Sequence, residues 1–341
     1  MPIITDHTTR RIEGRPRVIV TRRLLPAVEA RMAELFDAHF NVSDTPLDRV
    51  AMIAAMQNCD VLVPTVTDTI DAAMIAAACQ GNRPIGLIAS YGAGIEHIDL
   101  AAARAHRIIV TNTPGVFTDD TADMTIALII SAMRRFAEGV RALAAGEWHG
   151  WAPSGLMGHR IGGKRLAILG MGRIGQAVAH RARAFGMSIT YHNRRRLPTA
   201  LETMLGARYV SGVDDLITGA DILSLHCPAT PETRGILSAT RIASMQPDAY
   251  VINTSRGDLI DEAALIDALE AGRLGGAGLD VFAHEPAPDP RLVALPNVVL
   301  MPHMGSATIE GREASGEKVI ANIRFWADGH RPPDQVLEGW A

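Results

Sequence analysis

Short apolar runs alternate along the chain with longer stretches in which apolar residues recur at helical spacing. In the first third of the chain, the apolar runs predict strands at residues 17–21, 61–64, 85–90 and 108–111. Helical patterns separate these runs, at residues 26–38, 47–56, 70–79 and 99–105. Alternation of this kind predicts a parallel sheet covered by helices.

The same alternation returns in the second half, where strands are predicted at residues 165–169, 188–192, 222–225, 250–253, 276–279 and 298–301. Between the halves, residues 118–145 keep a helical pattern, which predicts one long helix that joins two domains. A last helix is predicted to run from Ser306, as its N-cap, to Asp328. The sequence therefore predicts an α/β protein with two parallel sheets, each in its own domain.

Composition and charge narrow the class of protein. The chain of 341 residues is 48% hydrophobic and 21% charged, which is typical of globular domains. A formal net charge of -4 leaves no broad basic surface for a nucleic acid, and three widely separated cysteines indicate neither a disulfide framework nor a metal site. Residues 1–16 form a polar, arginine-rich arm without the apolar core of a secretory signal, and the longest apolar run, 124–133, is too short to cross a bilayer. We expect a cytoplasmic protein that binds neither membranes nor nucleic acids.

A glycine-rich motif, G-M-G-R-I-G at residues 170–175, follows a predicted strand and opens a helix. Gly170 would allow a tight turn, Gly172 would let a phosphate approach the backbone, and Gly175 would let the helix pack on the strand. A pyrophosphate would then lie at the helix N-terminus. The motif predicts a Rossmann-like dinucleotide-binding fold, although a tight turn without a ligand has the same pattern.

The turn after the next predicted strand, H-N-R-R-R, lacks the acidic residue that usually binds the ribose 2′-hydroxyl of NAD. Asn193 stands near that position and is neutral. Arg194 and Arg195 follow it and could bind a 2′-phosphate through charge-assisted hydrogen bonds. We therefore expect NADP(H) to be preferred, with NAD(H) as the second option and a solvated basic turn as the structural alternative.

Three further motifs each follow a predicted strand. N-T-S-R-G-D contains Arg256, which could clamp a carboxylate or polarise a carbonyl, or could form a surface ion pair instead. Glu285 in L-D-V-F-A-H-E-P and His303 in P-H-M-G-S-A-T could form an acid–base pair, in which the carboxylate orients the imidazole and keeps a proton available near neutral pH. Taken alone, a turn glutamate and a capping histidine are common without any catalytic role.

Together these motifs resemble those of the D-isomer-specific 2-hydroxyacid dehydrogenases, in the order G-M-G-R-I-G, H-C-P-A-T-P-E-T-R-G, N-T-S-R-G-D, L-D-V-F-A-H-E-P and P-H-M-G-S-A-T. The resemblance implies that Arg256, Glu285 and His303 are the catalytic residues. It also implies a dinucleotide-binding domain at residues 113–302 and a discontinuous substrate domain at residues 17–112 and 303–335. The residues expected to bind the cofactor, from the motifs and the resemblance together, are Gly170, Gly172, Arg173, Ile174, Gly175, Asn193, Arg194, Arg195, Cys227, Pro228, Thr254, Ser255, Arg256, Asp280, His303 and Gly305.

Two other segments resemble the same family. S-Y-G-A-G-I-E-H-I-D is similar to the family's substrate loop, in which the backbone N–H groups of Ala93 and Gly94 would hold the substrate carboxylate while Arg256 and His303 contact the substrate. G-E-W-H-G-W resembles the corresponding segment of glyoxylate and hydroxypyruvate reductases, where a tryptophan matching Trp151 reaches the active site of the neighbouring subunit. The resemblance therefore implies a homodimer.

The function implied by the resemblance is reduction of a small 2-oxoacid, glyoxylate or hydroxypyruvate, to the D-2-hydroxyacid by NADPH or NADH. A D-lactate or ketogluconate type of reductase is an alternative within the family. A dinucleotide-sensing corepressor is an alternative from another class, because such proteins can keep the same arginine, glutamate and histidine. Turnover of a 2-oxoacid would separate the enzyme from the corepressor.

Overall fold

The computed structural model describes residues 14–81 and 85–337, so most of the predicted N-terminal arm lies outside the described residues. Contacts divide the chain into two units. One unit contains the described residues up to Phe117 and those from Thr308 onward, and the other contains Thr118–Ala307. The second unit therefore begins and ends slightly later than the predicted limits of 113 and 302. Among the helices of the described residues, none is long and apolar enough to span a membrane.

The first unit is built on a five-stranded sheet in which every strand pair is parallel. Its strands are β1 (Arg17–Val20), β2 (Asp37–Phe40), β3 (Val61–Val63), β4 (Leu87–Ala89) and β5 (Ile109–Thr111), in the order β2-β1-β3-β4-β5. Its helices in the N-terminal part are α1 (Pro26–Leu35), α2 (Arg49–Gln57), α3 (Ala72–Ala78) and α4 (Leu100–Ala105). Aspartates cap the last three of these helices, since the side chains of Asp48, Asp71 and Asp99 each accept a first-turn N–H.

The second unit is built on a seven-stranded sheet, again with every pair parallel. Its strands are β6 (Arg165–Leu169), β7 (Ser188–His192), β8 (Ala207–Tyr209), β9 (Ile222–Leu225), β10 (Tyr250–Asn253), β11 (Gly276–Leu279) and β12 (Val298–Leu300), in the order β12-β11-β10-β9-β6-β7-β8. Its helices are α5 (Thr118–Met133), α6 (Phe136–Ala144), α7 (Arg173–Ala184), α8 (Thr199–Leu205), α9 (Val213–Thr218), α10 (Ala239–Ser244), α11 (Glu262–Glu270) and α12 (Pro290–Ala294). The chain reverses direction across the sheet at β6, as in Rossmann folds.

Alternate residues of the strands pack on opposite faces of each sheet. In β6, Leu166 and Ile168 belong to one apolar cluster, while Ala167 and Leu169 belong to another. This is the period of two expected for a strand that is covered on both sides, and it explains why these strands are nearly continuous apolar runs. The predicted α/β class with two Rossmann-like parallel sheets is confirmed.

The strand register brings the functional motifs of the second unit to one edge. Leu169 pairs with Leu225, Leu225 with Asn253, Asn253 with Leu279, and Leu279 with Leu300. The loops that follow these residues therefore all leave the sheet at its carboxyl edge, which is where open α/β sheets bind ligands.

The single long helix predicted for residues 118–145 is wrong, because α5 and α6 are separate helices. Arg135 adopts the left-handed conformation, with φ +57°, and ends the helical path. The backbone N–H of His159 donates to the carbonyl oxygen of Met133 (2.8 Å), and the guanidinium of Arg135 reaches the carbonyl oxygen of Met157 (3.3 Å). The segment after α6 thus supplies partners to the end of α5, an effect that a helical pattern alone does not reveal.

The last helix, α13 (Ile309–Ala327), returns to the first unit. Its N-cap is Thr308, whose hydroxyl accepts the N–H of Gly311 at 2.9 Å, so the prediction of Ser306 as the cap is wrong. The sequence pattern does not predict the two strands β2 and β8. Both lie at sheet edges, and neither has the continuous burial of the central strands.

Candidate active site

The glycine-rich loop at residues 170–172 joins β6 to α7, and its shape depends on missing side chains. Gly170 has a φ of +100°, and a Cβ there would lie 2.5 Å from the backbone nitrogen of Cys227. A Cβ on Gly175 would lie 2.3 Å from the carbonyl oxygen of Gly170, so only glycine lets α7 pack this closely on the loop. Around Gly172, by contrast, a Cβ would meet no atom within 4 Å.

The open space beside Gly172 lies at the N-terminus of α7. Gly172 is the N-cap residue and provides no side chain to cap the first turn, which begins with Arg173 and Ile174. The first N–H groups of a helix lack intrahelical acceptors, and together with the helix dipole they favour an anion. The residues present therefore fit the phosphates of a dinucleotide.

The turn that follows β7 is attached to this loop by Asn193. Its side-chain oxygen accepts the backbone N–H of Met171 (3.3 Å), and its amide nitrogen donates to the carbonyl oxygen of Arg195 (2.9 Å). Arg194 and Arg195 are exposed at the tip of the turn. The neutral Asn193 thus orders the turn by hydrogen bonds and adds no negative charge near the two guanidinium groups.

The loops that follow β9 and β10 are linked to each other. The Ser255 hydroxyl donates to the carbonyl oxygen of Cys227 (2.6 Å), and the hydroxyls of Thr125 and Thr254 share a hydrogen bond (2.9 Å) that attaches the second loop to α5. Burial raises the pKa of the Cys227 thiol to about 11, so this group is neutral at physiological pH. Pro228, the next residue, is exposed.

The loop that carries Arg256 is shaped by a fully buried asparagine at the end of β10. The Asn253 side chain accepts the N–H of Ser255 (3.0 Å) and donates to the carbonyl oxygen of Arg256 (2.9 Å), while an Arg256 guanidinium nitrogen donates to the carbonyl oxygen of Ser255 (2.7 Å). A Cβ on Gly257 would lie 2.0 Å from the backbone of Phe282. The Arg256 loop and the loop after β11 are therefore in direct backbone contact.

Glu285 and His303 form a hydrogen-bonded pair at the ends of β11 and β12. Oε2 of Glu285 lies 2.7 Å from Nδ1 of His303, and Oε1 accepts the backbone N–H of Phe282 (3.1 Å). Burial alone would raise the pKa of Glu285, but the hydrogen bond and charge of His303 outweigh it, with a further contribution from the charge of Arg256, and the pKa is lowered. The carboxylate is therefore ionised at neutral pH.

Asp280 holds the backbone of the loop that contains His303. Its side chain is 1% exposed, and its two carboxylate oxygens accept the backbone N–H groups of Met304 (2.8 Å) and Gly305 (2.7 Å). Its own carbonyl oxygen accepts the N–H of His303 (2.9 Å), which adopts a left-handed φ of +52°. These three bonds stabilise a conformation that a non-glycine residue rarely adopts.

Comparison with known proteins assigns the family. Residues 126–305 match the model of the D-isomer specific 2-hydroxyacid dehydrogenase NAD-binding domain. The chain is 41% identical to a glyoxylate reductase of Thermococcus litoralis over 327 residues, which cover 94% of this chain and 97% of the relative. The chain belongs to the D-isomer-specific 2-hydroxyacid dehydrogenase family. This dehydrogenase is therefore an oxidoreductase with a nicotinamide dinucleotide cofactor.

Solved structures agree with this assignment. A Polaromonas protein that bears the same family name has a TM-score of 0.89 and 42% identity, over 95% of this chain and all of the other. An NADPH-dependent glyoxylate/hydroxypyruvate reductase of Sinorhizobium meliloti, crystallised with NADP and malonate, has a TM-score of 0.83 and 31% identity, over 95% of this chain and 98% of the other.

The second unit of the dehydrogenase brings most predicted site residues to one edge of its sheet, but three predicted substrate residues lie elsewhere. Ala93 and Gly94 belong to the loop after β4 in the first unit, where the side chain of Asn112 donates to the carbonyl oxygen of Ala93 (2.7 Å). Trp151 is 85% exposed, in the irregular segment after α6.

Some residues that build the site were not singled out from the sequence. Asn253 shapes the Arg256 loop, and Glu262 at the start of α11 accepts the backbone N–H of Ala283 (2.9 Å), two residues before Glu285. For Asp280 the sequence indicated only a position near the cofactor. Asn253 and Asp280 are polar residues at the ends of buried strands, and this position is the sequence signal that could have identified them. A buried polar side chain requires a hydrogen-bond partner, so such a residue is expected to hold a neighbouring loop.

Proposed function

We propose that this dehydrogenase reduces a small 2-oxoacid, glyoxylate or hydroxypyruvate, to the D-2-hydroxyacid and prefers NADPH to NADH. The observation that carries the proposal is the 2.7 Å bond between Glu285 and Nδ1 of His303, at the same sheet edge as Arg256 and the glycine-rich loop. Several relatives are named glyoxylate reductases, which supports the choice of substrate.

His303 is the proposed proton donor. Because its Nδ1 is bonded to Glu285, Nε2 is the nitrogen that can face a substrate. Protonated Nε2 donates to the carbonyl oxygen as that oxygen gains negative charge, and the Glu285 carboxylate stabilises the imidazolium until the proton has moved. The reaction balances as one 2-oxoacid, one reduced cofactor and one proton, giving the 2-hydroxyacid and the oxidised cofactor.

Arg256 is the proposed electrostatic group. Its guanidinium can bind the substrate carboxylate and polarise the carbonyl, which lowers the energy of the developing alkoxide. We also propose that the backbone N–H groups of Ala93 and Gly94 bind the substrate carboxylate. In the first unit as described, neither of these N–H groups has an acceptor.

The cofactor is proposed to lie along the carboxyl edge of the second sheet. When bound, the reduced nicotinamide supplies the hydride. The residues of the loop 170–175 hold the pyrophosphate, and Arg194 and Arg195 bind the 2′-phosphate of NADPH. The loops after β9, β10 and β11 and the residue Gly305 line the rest of the cofactor site. The residues of these loops that are proposed to contact the cofactor are Cys227, Pro228, Thr254, Ser255 and Asp280.

We further propose that the protein is a homodimer in which Trp151 bounds the partner's substrate pocket. The apolar residues Phe136, Val140 and Leu143 share one side of α6 and are all at least half exposed. Neighbouring exposed apolar side chains on one helix face support an interaction surface there.

The test is a kinetic series of glyoxylate, hydroxypyruvate, pyruvate and phenylpyruvate with NADPH and with NADH. We expect the first two to have the highest kcat/KM, because a pocket for a small substituent disfavours an aromatic ring. If phenylpyruvate is the best substrate, the small-pocket proposal is wrong. If no 2-oxoacid is reduced with either cofactor, the reductase proposal is wrong and a dinucleotide-sensing binding protein is favoured.

A further inference from the structure

All three arginines of the turn after β7 are exposed, and Arg196 pairs with a buried carboxylate. Arg196 donates from Nε to Oε1 of Glu202 (2.9 Å) and from Nη2 to Oε2 (2.8 Å), a two-point pairing with a carboxylate that is 7% exposed. The charge of Arg196 is therefore neutralised, and its guanidinium is not free to bind a second anion in the same way.

A buried tyrosine completes this arrangement. Tyr191 in β7 is fully buried. Its phenol donates to Oε1 of Glu202 (2.6 Å) and accepts the backbone N–H of Leu197 (2.9 Å). The Arg196 guanidinium lies over the ring of Tyr209 in β8, 5.6 Å from its centroid. We call the set Tyr191, Arg196 and Glu202 the latch; it connects β7, the turn, α8 and β8.

The latch remains closed across the physiological pH range. The hydrogen bonds from Arg196 and Tyr191 lower the pKa of Glu202 to about 2, and burial with the Glu202 bond raises that of Tyr191 to about 12. Both groups therefore keep one protonation state between these limits. The latch is a fixed support for the turn and not a pH switch.

The other end of the turn is held by Asn193, which bonds to the N–H of Met171 in the glycine-rich loop and to the carbonyl oxygen of Arg195. Arg194 and Arg195 thus lie between two attachments, one to the proposed pyrophosphate site and one to the latch. A binding group that is already ordered loses less conformational entropy when its ligand arrives.

We infer that the latch determines cofactor specificity by positioning Arg194 and Arg195 for the 2′-phosphate of NADPH, an inference that rests on the proposed NADPH preference. NADH has no phosphate at this position, so disordering the turn should weaken NADPH binding selectively. Tyr191, Arg196 and Glu202 are positioning residues in this account, since none of them needs to touch the cofactor.

The decisive variant is the double substitution Arg196→Met with Glu202→Gln, which opens the latch without changing the net charge of the site. The glutamine can still accept the Tyr191 hydroxyl. Isothermal titration calorimetry of the whole protein with NADPH and with NADH gives both dissociation constants. We expect that of NADPH to rise about tenfold, as for the loss of one charge-assisted hydrogen bond, and that of NADH to change less than about twofold.

A matched control is Arg291→Met with Asp267→Asn, which removes an exposed ion pair (3.1 Å) of the same unit and should leave both constants unchanged. If the latch variant does not fold, as judged by its thermal transition, Arg196→Lys replaces it. That variant keeps the charge but not the two-point pairing, and we expect a smaller NADPH-selective loss of about threefold.

The outcomes separate the inference from the proposal beneath it. An equal loss of affinity for NADPH and NADH in the latch variant would show that the latch is only structural. If the parent protein prefers NADPH and the variant keeps the same ratio of the two dissociation constants, the latch inference alone is overturned. Equal affinities of the unmodified protein for the two cofactors would overturn the NADPH preference and the latch inference together.

Discussion

At the scale of single residues, the Glu285 carboxylate has two partners that fix the direction of the His303 ring. One oxygen accepts the N–H of Phe282 and the other is bonded to Nδ1 of His303. The lowered pKa of Glu285 keeps the carboxylate charged at neutral pH. The negative charge therefore favours the protonated ring that the reduction requires.

Glu285→Gln should move the alkaline limb of the pH–rate profile to lower pH. Reduction needs the imidazolium, so the rate falls as pH rises and the ring deprotonates. A neutral amide stabilises the imidazolium less than a carboxylate does, so the fall begins earlier. The profile of kcat/KM for glyoxylate between pH 5 and pH 10 measures this shift. Glu270→Gln, an exposed change in α11, should leave the limb in place, and an unmoved limb in Glu285→Gln would contradict the proposed pair.

The sequence was sufficient to propose Arg256, Glu285 and His303, because each follows a predicted strand and belongs to a recognisable motif. It was not sufficient for the side chains that position them. Asp280 bonds to N–H groups more than twenty positions away along the chain. No local pattern of apolar and polar residues encodes such a partner, so the structure was needed to identify it.

At the scale of elements, the loops after β10 and β11 behave as one support for the site. They touch where Gly257 meets the backbone of Phe282, and Glu262 from the start of α11 accepts the N–H of Ala283. The Glu262 bond therefore connects the helix that follows the Arg256 loop to the segment that leads to Glu285. A small displacement of this segment would lower the reaction rate, because proton transfer depends on the distance between the reacting groups.

Glu262→Ala should lower kcat for glyoxylate by about tenfold while the KM for cofactor stays nearly constant, because the bond positions Glu285 and not the dinucleotide. Glu262→Gln should keep most of the activity, since its amide oxygen can still accept the Ala283 N–H. Steady-state kinetics and the pH profile of the three proteins test this, with Glu270→Ala in the same helix as control. Equal losses in the alanine and glutamine variants would argue against a role through this hydrogen bond.

The sequence pattern predicts the strands that are buried on both sides, whereas it does not predict the edge strands β2 and β8. Five of the strands in the second sheet, from β6 to β11 except β8, have the predicted bounds. The predicted helix of residues 26–38 overlaps the first two residues of the edge strand β2, whose half-buried and exposed positions do not form an apolar run. The break at Arg135 was missed for another reason: the partners of the α5 end come from a segment more than twenty residues later.

At the scale of the whole molecule, α6 is a helix without a buried residue in the isolated chain. Its large apolar side chains, Phe136, Val140 and Leu143, and the two tryptophans that follow it, Trp148 and Trp151, are exposed. A helix with one apolar face is stabilised when that face packs against another surface. A second copy of the chain supplies such a surface in the proposed homodimer, in which one subunit completes the site of the other.

The proposed dimer predicts complementation between two inactive variants. His303→Ala removes the proton donor and should lower kcat at least 10²-fold, while Trp151→Ala should impair a site of the partner. A mixed dimer then contains one site with an intact His303 and an intact Trp151 from opposite chains, so mixing the two proteins under subunit exchange should restore activity. Sedimentation should give twice the chain mass of 36.5 kDa. An active monomer would contradict the dimer, whereas a dimer without complementation would place Trp151 outside the partner's site.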